Sequence, residues 1–177
     1  MPDFKSLWDA AEGFDAFIAP SSNHKALWLG LHRIARLPEW AMAAVPPGAC
    51  RRLLVIAEDW CGDASNTVPI LAKFAAAVPG FELRILPRDQ HPELMDRYLT
   101  NGSRSIPIVI ALDEAFRELG YWGPRPTVLQ SWVMANRASI PKTELYPQVR
   151  TWYARDRGES TLREVLEMAG YPVAKVA

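Results

Sequence analysis

Cys61 is the residue of this chain that is best placed to do chemistry. It follows the short apolar run 53–57, which is typical of a buried strand, and it directly precedes a predicted helix over residues 62–77. Unpaired backbone N–H groups and the helix dipole at such a position favour the thiolate, the form of cysteine that attacks disulfides and binds metals. Free cysteine is also a common small core residue, so position alone leaves both interpretations open.

Acidic residues surround this cysteine. Glu58, Asp59 and Asp63 lie within three residues of Cys61, and nearby carboxylates raise the pKa of a thiol. Asp63 suits the first turn of a helix, where the helix dipole stabilises a negative charge. A buried carboxylate beside a cysteine can instead pass a proton to a leaving thiol, which makes Asp63 a second candidate catalytic residue.

Cys50, the other cysteine, is not expected to reach Cys61. Eleven positions separate the two, and the chain between them is mostly extended. About eight extended residues span about 25 Å, whereas a disulfide needs Cα atoms within about 7 Å of each other. Any mixed disulfide on Cys61 must therefore be resolved by a thiol outside this chain, unless two chains exchange, and Cys50 is predicted to be a packing residue.

Hydrophobic periodicity predicts the elements that position Cys61. Residues 3–46 are predicted to form two helices, and residues 52–137 follow the order strand, helix, strand, helix, strand, strand, helix. The predicted strands are 53–57, 81–86, 108–112 and 116–119, and the predicted helices are 62–77, 91–99 and 126–137. A βαβ unit followed by a hairpin predicts a four-stranded mixed sheet with helices on both faces and parallel first and second strands.

Two further helices are predicted at the end of the chain. The first covers about residues 145–155. Thr161 and Glu164 have the spacing of a capping box, which predicts the start of the second. Gly170 is expected to end that helix as its C′ residue.

Residues 60–71 resemble the active-site helix of thioredoxins, in which Trp-Cys-Gly-Pro-Cys is followed by a proline eight residues after the first cysteine. Pro69 follows Cys61 at that spacing, and a proline inside a helix costs about 3 kcal/mol, which argues against a chance placement. Ile106 and Pro107 open the third predicted strand, where thioredoxins have a cis peptide bond that faces the cysteine. The resemblance implies the same cis bond and a binding role for both residues here.

Over about residues 50–138 the chain is similar to a bacterial thioredoxin-like family with Trp-Cys-Gly-Asp-Ala in its active site. Residues 122–126 and 152–156 resemble further motifs of that family. The resemblance implies an α/β thioredoxin fold with N-terminal and C-terminal helical extensions. We expect a helical extension over 1–48, the thioredoxin-like core over 49–138, and a C-terminal helical extension packed on the core over 139–177.

Ala64 stands where thioredoxins have their second cysteine. A dithiol enzyme uses that cysteine to resolve the mixed disulfide, so this chain is predicted to be a monothiol protein. The first functional hypothesis is a thiol–disulfide oxidoreductase with Cys61 as nucleophile and glutathione or another external thiol as co-substrate. The alternative is a non-catalytic module that binds peptides or proteins, and metal ligation by a single cysteine is less favoured. No metal site and no tightly bound cofactor are predicted.

The predicted topology brings several loop residues to the Cys61 end of the sheet. Arg88, Arg104 and Arg125 are expected to arrive there from separate loops, where they could bind the carboxylates of a glutathione-like peptide. Each could equally be a solvated loop residue. Trp60 and Trp122 are candidate walls of the binding site, with an edge-of-core position as the alternative for both.

Composition excludes several classes of function. The 177 residues include 20 basic and 20 acidic side chains, so no net field favours nucleic acid. No apolar stretch approaches the roughly 20 residues that span a bilayer, and the first twenty residues lack the pattern of a secretory signal. We therefore expect a cytoplasmic protein whose partners are protein thiols or disulfides, with the helical extensions as a candidate homodimer contact.

Overall fold

A computed structural model describes residues 2–173 and contains one four-stranded mixed sheet. Its strands are β1 (Arg51–Ala57), β2 (Phe81–Pro87), β3 (Ile108–Leu112) and β4 (Glu118–Trp122), in the spatial order β2-β1-β3-β4. β1 pairs parallel with β2 and antiparallel with β3, and β3 pairs antiparallel with β4. The predicted mixed sheet, with parallel first and second strands, is confirmed.

Helices flank this sheet, as predicted from the order of its elements. They are α1 (Phe4–Ala10), α2 (Phe14–Ile18), α3 (Lys25–Ile34), α4 (Glu39–Ala43), α5 (Gly62–Ala77), α6 (Pro92–Met95), α7 (Thr127–Asn136), α8 (Lys142–Asp156) and α9 (Glu159–Met168). All five residues of β3 and the last five of β1 are buried. None of the helices in residues 2–173 has both the length and the apolar character needed to cross a bilayer.

The N-terminal segment contains four helices where two were predicted. Glu12 interrupts the first because its backbone exchanges two hydrogen bonds with Ile85 of β2, with N···O distances of 3.0 and 2.7 Å. This pairing holds Glu12 in extended conformation at the sheet edge. The second predicted helix ends at Ile34, and a separate α4 begins after Pro38. The misprediction arose because edge pairing with a distant strand leaves no mark on local periodicity.

Three other predicted boundaries were also wrong. The helix expected over 91–99 is only the four-residue α6. β4 begins at Glu118 because the Asp113 carboxylate accepts hydrogen bonds from the backbone N–H groups of Ala115 and Arg117, which widens the turn before it. α9 begins at Glu159, so Thr161 lies inside the helix and is no cap.

Gly170 ends α9 as predicted. Its φ is +90°, a left-handed conformation that glycine adopts without steric cost. The backbone N–H of Gly170 donates to the Glu167 carbonyl, and that of Tyr171 donates to the Leu166 carbonyl. This pair of bonds is a Schellman motif.

α7 and α8 pack against each other through a second, smaller apolar cluster. It consists of Leu129, Val133, Leu145, Val149 and Tyr153. Tyr153 also carries a polar group, and α8 directs that hydroxyl toward the start of α5. The C-terminal segment therefore contributes a side chain to the surroundings of Cys61.

Candidate functional site

Cys61 caps the N-terminus of α5, directly after the strand β1 and a short turn. The residue is buried, and its Sγ donates a hydrogen bond to the Ile106 carbonyl oxygen at 3.4 Å. The Ile106–Pro107 peptide bond is cis. β3 runs antiparallel to β1, with Ile56 paired to Ile108, which places residues 106 and 107 beside the cysteine.

The surroundings of Cys61 favour the protonated thiol. Burial raises the pKa of the thiol above its ordinary value, and the Asp63 carboxylate adds to that effect. The backbone N–H groups of Ala64 and Asp63 and the charge of Arg125 act in the opposite direction but do not overcome burial. The shift is opposite to the one that the helix N-terminus alone favours, and the expected effect of the acidic neighbour is present.

Asp63 is the centre of a buried polar cluster. Arg125 donates from Nε to Asp63 Oδ1 at 2.9 Å and approaches Oδ2 with its second terminal nitrogen at 2.6 Å. The Tyr153 hydroxyl donates to Asp63 Oδ1 at 2.9 Å. Burial raises the pKa of the Asp63 carboxyl, and the Arg125 charge and hydrogen bonds counter the shift. Burial also raises the pKa of Tyr153, with the Asp63 charge adding to it.

Three elements that are distant in sequence build this cluster, which we call the Asp63 cluster (Asp63, Arg125 and Tyr153). Asp63 lies in the first turn of α5, Arg125 follows β4, and Tyr153 lies in α8. Gln130 of α7 accepts a hydrogen bond from Arg125 Nη1 at 2.8 Å and fixes the guanidinium. Sequence reasoning identified Asp63 and Arg125 but assigned no role to Tyr153, although the motif over 152–156 marked its position.

The other arginines do not form the predicted free cluster beside Cys61. Arg104 forms a two-point ion pair with Asp96 on the surface, with N···O distances of 2.6 and 2.8 Å. Arg88 pairs with Asp89, and its guanidinium lies 5.1 Å from the centre of the Trp60 ring. Each guanidinium thus has its own carboxylate partner.

The two tryptophans near the site differ in exposure. Trp60 is 51% exposed and directly precedes the buried cysteine in the chain, with the Arg88 guanidinium near its ring. Trp122 is buried, and its indole N–H donates to Glu164 of α9 at 2.7 Å. Trp122 therefore occupies the edge-of-core position that sequence analysis had left as its alternative.

Trp28 of α3 anchors the turn that precedes Cys61, which sequence reasoning missed. The side chain is fully buried, and its indole N–H donates to the Asp59 carbonyl oxygen at 2.8 Å. α3 is held against α5 by Lys73, whose ammonium group donates to the carbonyls of His32, Arg33 and Ala35 at the end of α3. The N-terminal segment therefore supports the backbone of the site.

Gly123→Ala is expected to lower the free energy of unfolding by about 2–3 kcal/mol, because strained backbone at such positions costs about that much. Gly123 has φ +131°, and an added Cβ would meet the carbonyl oxygen of Pro107. Urea unfolding followed by fluorescence measures the loss. Gly30→Ala is the matched control, since its Cβ would meet nothing within 4 Å and alanine favours its helix. Equal stabilities of the two variants would contradict this account.

Among the described residues, no group of three or more histidine, cysteine or acidic side chains is arranged to hold a metal ion. The chemistry that the side chains of this site offer is that of one thiol beside a buried carboxylate, a guanidinium and a phenol. The arrangement of strand, cysteine, long helix and cis-proline defines a thioredoxin-type site.

Comparisons with known proteins agree with that class. The family model described as Thioredoxin matches residues 13–142. The chain therefore belongs to the thioredoxin family. No curated protein sequence matches it.

Two solved structures share the fold. One is PA1234, a protein of unknown function from Pseudomonas aeruginosa, with a TM-score of 0.78 and 23% identity. The other is an HIV epitope-scaffold, with a TM-score of 0.76 and 21% identity. Each comparison covers 96% of this chain and 98% of the other. At these identities the likeness extends to the fold alone.

Proposed function

We propose that this protein is a monothiol thiol–disulfide oxidoreductase in which Cys61 is the nucleophile. The observation that carries the proposal is the position of Cys61: at the start of α5, with its Sγ 3.4 Å from the carbonyl oxygen that precedes Pro107. The backbone N–H groups of Asp63 and Ala64 lower the pKa of the thiol from this side. They would stabilise the thiolate when it forms.

The reaction proceeds by two exchanges. The Cys61 thiolate attacks one sulfur of a disulfide, a new S–S bond forms to Cys61, and the other sulfur leaves as a thiolate that takes up a proton. A second thiol, glutathione in the simplest case, then attacks the mixed disulfide. This step returns Cys61 to its reduced form and releases a disulfide that contains the second thiol.

The requirement for an external thiol follows from the positions of the cysteines. The chain contains two, and the seven-residue strand β1 lies between Cys50 and Cys61. Seven extended residues span about 23 Å, which is beyond the reach of a disulfide. Glutathione, or a cysteine on the substrate itself, would complete the cycle.

Within the family, we propose that the chain groups with the bacterial members that have Trp-Cys-Gly-Asp-Ala, and that it acts in the cytoplasm on protein thiols and disulfides. Asp63 is the residue that separates this motif from the proline of standard thioredoxins. Its carboxylate raises the pKa of Cys61. We therefore propose that burial, with Asp63 adding to it, keeps the Cys61 thiol protonated at neutral pH. Residues 1–48 and 139–177 are proposed to be helical extensions of a core over 49–138.

Alkylation of Cys61 by iodoacetamide is expected to accelerate about tenfold per pH unit as pH rises from 7, without a plateau below about pH 8.5, the ordinary cysteine pKa. The sign follows from the raised pKa: the thiolate is scarce at neutral pH and its fraction grows as pH rises. Cys50→Ser isolates the signal of Cys61. A plateau near pH 7 in that variant would contradict the proposed control by burial and Asp63.

The exchange itself is tested by incubating the reduced protein with glutathione disulfide and following the mixed disulfide by mass spectrometry. Cys50→Ser is expected to form it and to lose it when reduced glutathione is added. Cys61→Ser is expected to form none. Modification at Cys50 alone, or none in Cys50→Ser up to pH 9, would overturn the oxidoreductase proposal.

The buried thiol beside an exposed Trp60 favours a second candidate, a module that binds an extended peptide without exchange. The two candidates differ in whether binding of a partner requires the sulfur of Cys61. Binding that survives Cys61→Ser but is lost in Trp60→Ala would favour the binding module. Binding that requires the sulfur would favour exchange.

A further inference from the structure

A cavity of about 350 Å³ opens between α7, α8 and the loop before β3. Three cationic side chains line it: Arg125, Arg137 and Lys142. None of the described residues that line it is acidic. We call it the basic pocket.

Two of these three charges have no compensating partner. Arg125 is neutralised by Asp63, as described above. The side chains of Arg137 and Lys142 have no ion pair or hydrogen bond with any residue in the described range 2–173. Like charges that share a pocket repel each other, and an anion between them would remove that repulsion. The pocket is thus arranged to receive a negatively charged group.

Cys61 does not line the basic pocket, but two residues of the lining connect the pocket to the surroundings of the thiol. Ser105 lines the pocket and immediately precedes Ile106, whose carbonyl accepts the hydrogen bond from Cys61. On the other side Arg125 contacts Asp63, two residues after the cysteine. A molecule with one end in the pocket could therefore present its sulfur to Cys61. The volume is at the low end of the range of roughly 300–1,000 Å³ for small-molecule sites, which suits a short peptide rather than a folded chain.

We propose that the basic pocket binds a carboxylate of a small peptide disulfide or thiol, and that Arg137 and Lys142 select anionic substrates for Cys61. This inference rests on the proposed function, because it names the substrate class for the same cysteine. Carboxylate recognition by an arginine and a lysine gives charge selectivity, and the arginine adds directional hydrogen bonds.

The test compares an anionic with a neutral disulfide. Mixed-disulfide formation on Cys61 is measured with glutathione disulfide, which bears carboxylates, and with 2-hydroxyethyl disulfide, which bears none. The ratio of the two rates is expected to fall about tenfold in the double variant Arg137→Gln, Lys142→Gln, since both charge contacts to the carboxylate are lost. Added salt is expected to lower the same ratio in the unmodified protein.

Arg150→Gln is the matched control, because Arg150 is an exposed arginine of α8 that does not line the pocket. It is expected to leave the ratio unchanged. If both disulfides react and the ratio is the same in the double variant and the unmodified protein, the proposal that the basic pocket selects anionic substrates is overturned. The proposed oxidoreductase activity would still stand.

A binding measurement tests whether the basic pocket binds a carboxylate, even if neither disulfide reacts with Cys61. S-methylglutathione carries the same carboxylates but cannot exchange. Calorimetry is expected to detect its binding to the unmodified protein and about tenfold weaker binding to the double variant, which lacks both cationic side chains. No binding of S-methylglutathione, or equal binding to both proteins, would overturn the proposal.

Discussion

Asp63→Ala is expected to lower the free energy of unfolding by about 3–5 kcal/mol, the cost of leaving one partner of a buried ion pair alone. The substitution removes the acceptor of Arg125 and of the Tyr153 hydroxyl together. The side chains of Asp63 and Arg125 are only 10% and 16% exposed, so water does not replace the lost contacts. Urea unfolding followed by far-UV circular dichroism measures the change.

Asp96→Ala is the control, because Asp96 and Arg104 form an ion pair of similar two-point geometry on the surface. Their side chains are 49% and 50% exposed, and water screens such a pair, so its loss is expected to change the free energy of unfolding little. Similar losses in the two variants would show that burial of the Asp63 cluster has no special energetic role. A partial recovery in Asp63→Leu, Arg125→Met would indicate that the uncompensated guanidinium causes the loss.

Trp28→Ala is expected to cost about 3–5 kcal/mol, as is usual for removal of a fully buried tryptophan. The indole extends from α3 toward α2 and the turn before Cys61, and its ring contacts Phe14 and Phe17 of α2. The indole N–H also donates a hydrogen bond to the Asp59 carbonyl oxygen, so the variant loses both packing and a hydrogen bond to the turn. Thermal and urea unfolding measure the loss.

Two control variants separate the causes of that loss. Trp28→Phe keeps most of the apolar volume but removes the N–H donor. The difference in free energy of unfolding between Trp28→Phe and Trp28→Ala therefore measures the packing contribution. Trp60→Ala is the exposed counterpart, since 51% of its surface already meets water, and it is expected to cost less than about 1 kcal/mol. Equal losses for Trp28→Ala and Trp60→Ala would contradict the anchoring role of α3.

The sheet was predictable because its signals are local. Apolar runs at 53–57 and 108–112 coincide with buried strands, and the structure has β1 over Arg51–Ala57 and β3 over Ile108–Leu112. Pro69 lies inside α5, as the resemblance to thioredoxins implied. The predicted boundaries failed where a distant partner determines the backbone. Glu12 is extended because Ile85 of β2 pairs with it.

The same division holds for the site. Sequence placed Cys61 and Asp63 together because they are neighbours in the chain, and it placed Arg125 near them from the direction of β4. It did not indicate that Arg125 is bound to the carboxylate of Asp63 rather than open to substrate, or that Tyr153 completes the cluster. These partners follow Asp63 by 62 and 90 residues, and no local pattern encodes such contacts.

The sequence by itself determined that this chain has one cysteine at the start of a thioredoxin-type helix and no second cysteine within reach. Only the tertiary structure decided in which direction the pKa of that cysteine is shifted. Helix position favours the thiolate, but burial of the sulfur and the Asp63 charge favour the thiol, and they prevail. Desolvation depends on what packs over a side chain, and here that covering comes from parts of the chain far from Cys61 in sequence.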